Sequence, residues 1–399
     1  MSDAAVPFKP RNRRPGNALK PGPLPEFLQR MLDRGKAEIA SPYRGITTDG
    51  TPVAGLFPLL KTGLSLQASV DAANAFLASL PADRRAQATF DLGSGYWRAW
   101  HNMHNFLIRH GALLEECTSE QRERALALVR ASLSAAGFAL ARDVMRLNEH
   151  IGELTGRLGE FGEWYYWLSI MGTPSATEPW GWQLDGHHLI VNCFILGDQM
   201  VLTPNFMGSE PVYAAFGKHA GTRVFAAEEA QGHALMSAFA PEQQEKARIG
   251  MELPFDVFAT AFNDNLVMPY QGISWHEMTA EQRDRLSSLI GVYVGRVRPG
   301  HAELRFDEIK RHMEETHFAW IGACDATSPF YYRVHNPVVL IEFDHQPGIA
   351  LDNDFPSRHH THTVVRSPNG NDYGKDLLRQ HYRQFDHRHP DSPHRRGEP

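Results

Sequence analysis

The chain has 399 residues, 42% apolar and 22% charged, with a formal net charge of -6. These are globular values at a length that buries a large core, so disorder as the default is excluded, and the acidic balance argues against a general nucleic-acid binder, which carries a basic stripe. No run of about 18 apolar residues occurs, so nothing is expected to span a membrane.

Reading from the N-terminus, Met1 to Leu24 is rich in Pro, Lys and Arg and lacks the apolar stretch of a secretory signal. It is expected to be a disordered basic arm (residues 1–24), preceding one α+β domain over 25–383 and a disordered His/Pro-rich tail over 384–399. Cys117, Cys193 and Cys324 have no close spacing, which fits a reducing compartment, so the cytoplasm is expected. A short amphipathic helix falls within Pro25–Asp49. Ser69–Leu80 reads as a helix, and Asp83–Asn105 as partly helical. Thr118-Ser119-Glu120-Gln121 is a capping signature opening a helix through Leu133, and another helix runs from about Ala139 to Thr155.

The pattern changes near Trp164. Trp164–Ile170, Gly181–Phe194 and Met200–Pro204 read as strands, the last two joined by the turn Leu196-Gly197-Asp198-Gln199. Helices return at Phe225–Met236, Pro241–Arg248, Glu281–Val294 and Arg305–Glu315. Strands follow at Pro329–Val334, Val338–His345 and His360–Arg366, then a turn at Pro368-Asn369-Gly370-Asn371 and a helix over Lys375–Tyr382. The fold class expected is α+β: a helical N-terminal half packed on an antiparallel sheet of middle and C-terminal strands.

Histidine is the outlier of the composition: 21 residues, about twice ordinary usage. His387, His389 and His394 belong to the tail. In Asp185-Gly186-His187-His188, read as strand, adjacent histidines point to opposite faces, and His188 shares a polar row with Asn192. In Leu340-Ile341-Glu342-Phe343-Asp344-His345, Glu342 and Asp344 share a face. A glutamate in an apolar strand requires a partner, either a cation or an arginine such as Arg333 or Arg366. In His360-Thr361-His362 both imidazoles lie on one face and can address one ion. Together the segments supply the ligands of a mononuclear site: His188, Glu342, His360 and His362, with His187 or Asp344 as alternates. The other reading is a buried polar network that specifies the sheet.

Further residues could line such a pocket. Trp180 and Trp182, with Trp164–Trp167, could stack on a flat substrate or simply be core; Asn192 and Arg366 are candidate substrate contacts. Asp185 and Glu342 are candidate general bases, with His187 a third catalytic candidate. Asp344, Asp372 and His381 could orient the ligands, although Asp372 also suits plain helix capping. Glu228 and Glu229 read as helix-start charge. His101 with His104, and His312 with Glu315, have helical spacing and are read as solvated or packed. The chain carries no phosphate-binding loop, dinucleotide fingerprint, Gly-x-Ser-x-Gly elbow or His-Glu-x-x-His helix.

The run Glu178–His188 resembles a hallmark of the family catalogued as domain of unknown function 3500. So do Leu202-Thr203-Pro204 with Gly208 and Pro211, Tyr331-Tyr332-Arg333 with Leu340–Asp344, His360-x-His362-Thr363-Val364, and Asn371–Leu378 with His381-Tyr382. The resemblance covers roughly Tyr43 to Tyr382. It implies one continuous domain and maps the family's motifs onto His187, His188, Glu342, His360 and His362; it implies no substrate. Thr361 stands where an aliphatic residue is expected, and the N-terminus departs from that of exported relatives.

The expectation is a metal-dependent enzyme acting on a small organic molecule, hydrolytic or lyase-type, with a divalent Zn, Fe or Cu ion. A non-haem iron or copper oxygenase or oxidase on the same residues, and a non-enzymatic small-molecule or metal-binding protein, are the alternatives. Neither nucleic acid nor membrane is expected as a partner, and oligomeric state is left open.

Overall fold

The structure is a computed structural model that describes residues 7–12, 16–17, 19–20, 22–103 and 107–384. Helices α1 (Glu26–Ala40), α2 (Gln67–Ser79) and α3 (Ala82–Ala88) come first, followed by short strands β1 (Thr89–Phe90) and β2 (Ala112–Leu113). Helices α4 (Ser119–Ser132) and α5 (Ala135–Thr155) complete this part. The capping signature is real: Thr118 accepts from the Gln121 amide and Gln121 returns the bond to the Thr118 backbone. Gly156, at φ 69, closes α5 in the left-handed conformation that suits a residue without Cβ.

Strands β3 (Tyr166–Met171), β4 (Trp180–Gly186), β5 (Leu189–Leu196), β6 (Gln199–Val201) and β7 (Asn205–Ser209) follow. Helices α6 (Ala226–Ser237) and α7 (Pro241–Ala247) lead to β8 (Arg248–Gly250) and β9 (Ile273–Ser274), then α8 (Ala280–Val294) and α9 (His301–Lys310). The chain ends with β10 (His317–Gly322), β11 (Phe330–His335), β12 (Leu340–Gln346), β13 (Ser357–Arg366) and α10 (Lys375–Gln384). Thirteen strands join one sheet in the order β1-β3-β4-β5-β7-β13-β12-β11-β10-β8, with β2, β6 and β9 paired off this path. All pairings are antiparallel except β1 with β3 and β10 with β8. The α+β class and the N-terminal placement of helices are as the sequence implies.

The hydrophobic run of β5 is buried along its whole length because it lies inside the sheet, covered on both faces. The two faces at β13 and β12 differ. One carries Phe343 and Tyr332 against α6 and α8, where the Tyr332 hydroxyl meets Glu228 O and the Tyr293 hydroxyl. The other carries Tyr331, Arg333, Glu342, Asp344, His360 and His362, whose register places Tyr331, Asp344 and His362 in one cross-strand row. Segment 251–272 supplies contacts to this polar face and has no regular structure beyond one isolated bridge. Irregular segments this long are uncommon in compact domains and usually serve function.

Three readings need correction. Gly181–Phe194 is two strands, because His187 and His188 form the turn between β4 and β5. Glu228 and Glu229 are buried salt-bridge partners of Arg296 and Arg358 rather than plain helix-start charge. Of the N-terminal arm, Lys9–Arg11 is ordered by loop 348–354: Lys9 N donates to Asp352, Arg11 N to Ala350 O, and the Arg11 guanidinium to Gly348 O. His104 and the tail beyond residue 384 lie outside the described residues.

Candidate metal centre

Three imidazoles converge on the polar face. His360 and His362 project from β13 two residues apart, as the strand period requires, and their Nε2 atoms are 3.1 Å apart. His188 comes from the β4–β5 turn, 172 residues away in sequence, and its Nε2 is 3.2 Å from that of His360. One ligand atom from each of the three lies within 4.8 Å of the others, and all three residues are buried. Nitrogen atoms bound to one tetrahedral ion at about 2.0–2.1 Å are separated by about 3.3 Å, so these spacings would admit a shared ion.

The outer nitrogens decide which atoms carry protons. His360 Nδ1 is 2.7 Å from Pro347 O, a carbonyl that can only accept, so the proton is on Nδ1. His362 Nδ1 is 2.7 Å from Asp256 Oδ1. Burial alone would raise the Asp256 pKa, but His362 beside it outweighs burial, with help from Thr260 and Val257, and holds it below the usual carboxylate range. His360 Nε2 therefore turns a lone pair toward His362 Nε2, 3.1 Å away, an atom that can meet it with a proton or, in the neutral ring, with a second lone pair. A carboxylate or carbonyl behind each ring is the outer arrangement of metal-ligating histidines. His360 is pushed down to about 3 by burial and then by the charge of His362.

The turn presents His188 by an unusual backbone. Its φ is 60, uncommon for a residue with a side chain. Its N–H donates to Asn102 O at 3.3 Å and its carbonyl accepts from Gly208 N at 2.8 Å. The ring stacks on His187 at 3.9 Å, so the two histidines do not point to opposite faces as a continuous strand would require. His187 is held by Asn148, 2.6 Å from its Nδ1, and is not in the converging set. Gly208 lies across from His362 in the register. A Cβ there would sit 2.7 Å from His362 Cδ2 and 3.2 Å from His188 Cδ2, so only glycine lets the two rings approach.

Glu342 is not among the converging ligands. Its carboxylate accepts from Phe258 N at 3.1 Å, Ala259 N at 2.7 Å and the Tyr331 hydroxyl at 2.5 Å. It secures segment 251–272 and so the neighbourhood of Asp256, which corrects its expected roles as ligand and base. Burial raises its pKa against those hydrogen bonds. Asp344, the register partner of His362, is fully buried; Gln346 donates to its Oδ2, and among the described residues its Oδ1 has no partner. Burial, then Asp256 and Glu342, raise its pKa well above the carboxylate range.

Other candidates have different work. Asp185 is buried, its pKa raised by burial, and accepts the His101 backbone N–H, so it braces the segment that carries Asn102. Trp180 and Trp182 are core: their indole N–H groups donate to Ser175 O and the Ser132 hydroxyl. Asn192 is spent on Gln183 and Pro204 O. Arg366 is fully buried, clamped by Asp372 at 2.7 Å and Asp264 at 2.5 Å, and donates to Ala259 O. It cannot reach a substrate, and Asp372 orients this arginine rather than a histidine. His381 is buried on α10, outside the converging set. His312 pairs with Glu315 at 2.7 Å, and the His101 ring lies between the Met103 and Ile108 amides, 3.3 Å from Nδ1 and 3.1 Å from Nε2.

Asp256 and Pro347 carried no signal of a role in the sequence, and Gly208 entered only as part of the family resemblance. A second cluster, Glu149, Glu163 and His219, meets the same distance criterion. Lys218 and Arg142 already neutralise its carboxylates.

No curated protein and no solved structure matches the chain. A family model described as "Protein of unknown function (DUF3500)" matches residues 62–375, most of the chain. The chain belongs to the DUF3500 family.

Proposed function

We propose that the protein is a metal-dependent enzyme acting on a small organic substrate, with His188, His360 and His362 holding one divalent ion through Nε2. The observation that carries this reading is the convergence of three buried imidazoles, with His360 Nε2 3.2 Å from His188 Nε2 and 3.1 Å from His362 Nε2, and the rings of His360 and His362 each fixed from behind by an acceptor. In their neutral Nδ1–H forms these rings turn Nε2 lone pairs to a common point, where a divalent ion would join them. Three neutral donors leave the ion its full charge and at least one open position, which favours Lewis-acid activation of water or a carbonyl. Hydrolytic or lyase chemistry follows most directly. Asp344 Oδ1, beside His362 and without a partner, is the carboxyl oxygen available to a bound water or substrate.

The second reading is oxidative. An all-imidazole set suits copper as well as zinc, whereas the two-histidine, one-carboxylate set of non-haem iron lacks its carboxylate because Glu342 is committed elsewhere. Elemental analysis of protein loaded in turn with zinc, copper and iron separates these readings. One equivalent retained by wild type and lost in His360→Ala/His362→Ala is expected. Equal metal content in the two proteins would remove the basis for the proposal, and retention without turnover of any substrate class would leave a binding protein.

A further inference from the structure

Three buried arginines in this fold are matched by carboxylates: Arg98 by Asp264, Arg296 by Glu228, Arg366 by Asp264 and Asp372. Arg333 is different. It is 3% exposed, yet among the described residues no carboxylate lies within ion-pair distance of it. Its register partner Glu342 is committed to Phe258, Ala259 and Tyr331. Among the described residues, the guanidinium donates to a neutral acceptor, Gln271 Oε1, 2.8 Å from Nη2, and its buried Nε meets no partner. Glu342, across the strand pair, attracts this charge, but its oxygens are committed elsewhere and the buried Nε is left as an orphan donor, so an acceptor from outside the chain is its natural complement.

The surroundings support a site rather than an isolated defect. His335, one row along β11 on the same face, is 1% exposed, and its Nδ1 also lacks a partner. Tyr270 wedges between His335, edge-on at 4.7 Å, and His317, stacked at 4.9 Å. Gln271, next in sequence to Tyr270, is exposed and can swing aside.

We infer that Arg333, His335 and Gln271 form a recognition site for the carboxylate of a small organic acid, in which the Gln271 amide oxygen stands in for one carboxylate oxygen. A carboxylate would take over Nη2 from Gln271 and satisfy Nε with its second oxygen, the two-pronged geometry that guanidinium offers. His335 Nδ1–H would donate to the same anion. A carboxylate adds a single negative charge beside Glu342, whereas a phosphate adds about -1.5 to -2 there. The site does not depend on a metal at the histidine cluster.

The test uses full-length protein and sodium propionate, read at the Arg333 Nε–H resonance in ¹H–¹⁵N spectra, assigned through bonds, and by calorimetry. Propionate is expected to shift that resonance saturably. Gln271→Ala, at an exposed position, is expected to tighten binding roughly fivefold by removing the competing acceptor, and Arg333→Gln to abolish it. A resonance unmoved by propionate would overturn the inference. Equal binding of inorganic phosphate, or an affinity unchanged in Gln271→Ala, would overturn the carboxylate assignment. Because wild type and Gln271→Ala suffice, the outcome stands even if Arg333→Gln fails to fold.

Discussion

Asp256→Asn isolates the charge behind His362 with little change of shape. Asp256 accepts from His362 Nδ1 at 2.7 Å, Val257 N at 2.8 Å, the Thr260 hydroxyl at 2.9 Å and Asn102 Nδ2 at 3.2 Å. The asparagine oxygen can still accept from His362 and keep its proton on Nδ1. A charge-assisted bond of roughly 1.5–3 kcal/mol then becomes a neutral one of roughly 0.5–1.5 kcal/mol. The side chain is 21% exposed, so solvent moderates the difference; about 1 kcal/mol, or roughly fivefold weaker zinc binding, is expected. Asp256→Ala also frees the tautomer and is expected to reach the roughly 10- to 100-fold range of lost outer partners. Competition against a chromophoric zinc chelator measures both. Wild-type affinity in the two variants would refute the idea that the carboxylate prepares His362 as a ligand.

Gly208→Ala removes no ligand, yet its Cβ would crowd His362 and His188; calorimetric titration should show zinc affinity falling at least as far as in Asp256→Asn, with a lower melting temperature. Glu342→Gln is expected to keep one equivalent of metal by elemental analysis while losing roughly 1–3 kcal/mol in urea unfolding, since its amide would face the Phe258 or Ala259 N–H. Loss of metal in that variant would restore Glu342 as a ligand. Acid should weaken the fold before carboxylates titrate. Burial pushes His101 and His335 down to about 3 and His110 to about 4, against 6.5 unfolded. Between those values the unfolded chain binds more protons, so stability rises with pH and is lost as pH falls below about 6.5. A urea midpoint that stays flat from about pH 7 down to about pH 4.5 would contradict this sign.

Much of the frame was legible because local rules sufficed. The Thr118 cap, the helical periodicity through Val294 and the alternation of Leu340–His345 are satisfied by neighbours in the chain. His360 and His362 were paired correctly because strand period alone places both on one face. His188 was assigned to the right face for the wrong reason: Asp185-Gly186-His187-His188-Leu189 reads as unbroken strand, and nothing local marks a histidine that adopts φ 60. Glu342 was rightly judged to need a partner, but backbone amides of a distant irregular segment leave no trace in residue type. Asp256 was missed for the same reason, and Trp180 and Trp182 look alike in sequence whether they face a substrate or a core.

The converging imidazoles also have a consequence for chain entropy. His188 and His360 are 172 residues apart, and an ion joining them would tie off most of the sheet as a single loop. Treated like a covalent cross-link of that span, it would remove about 5 kcal/mol of freedom from the unfolded chain. A chelator would then act as a denaturant, loosening strands far from the ion it withdraws.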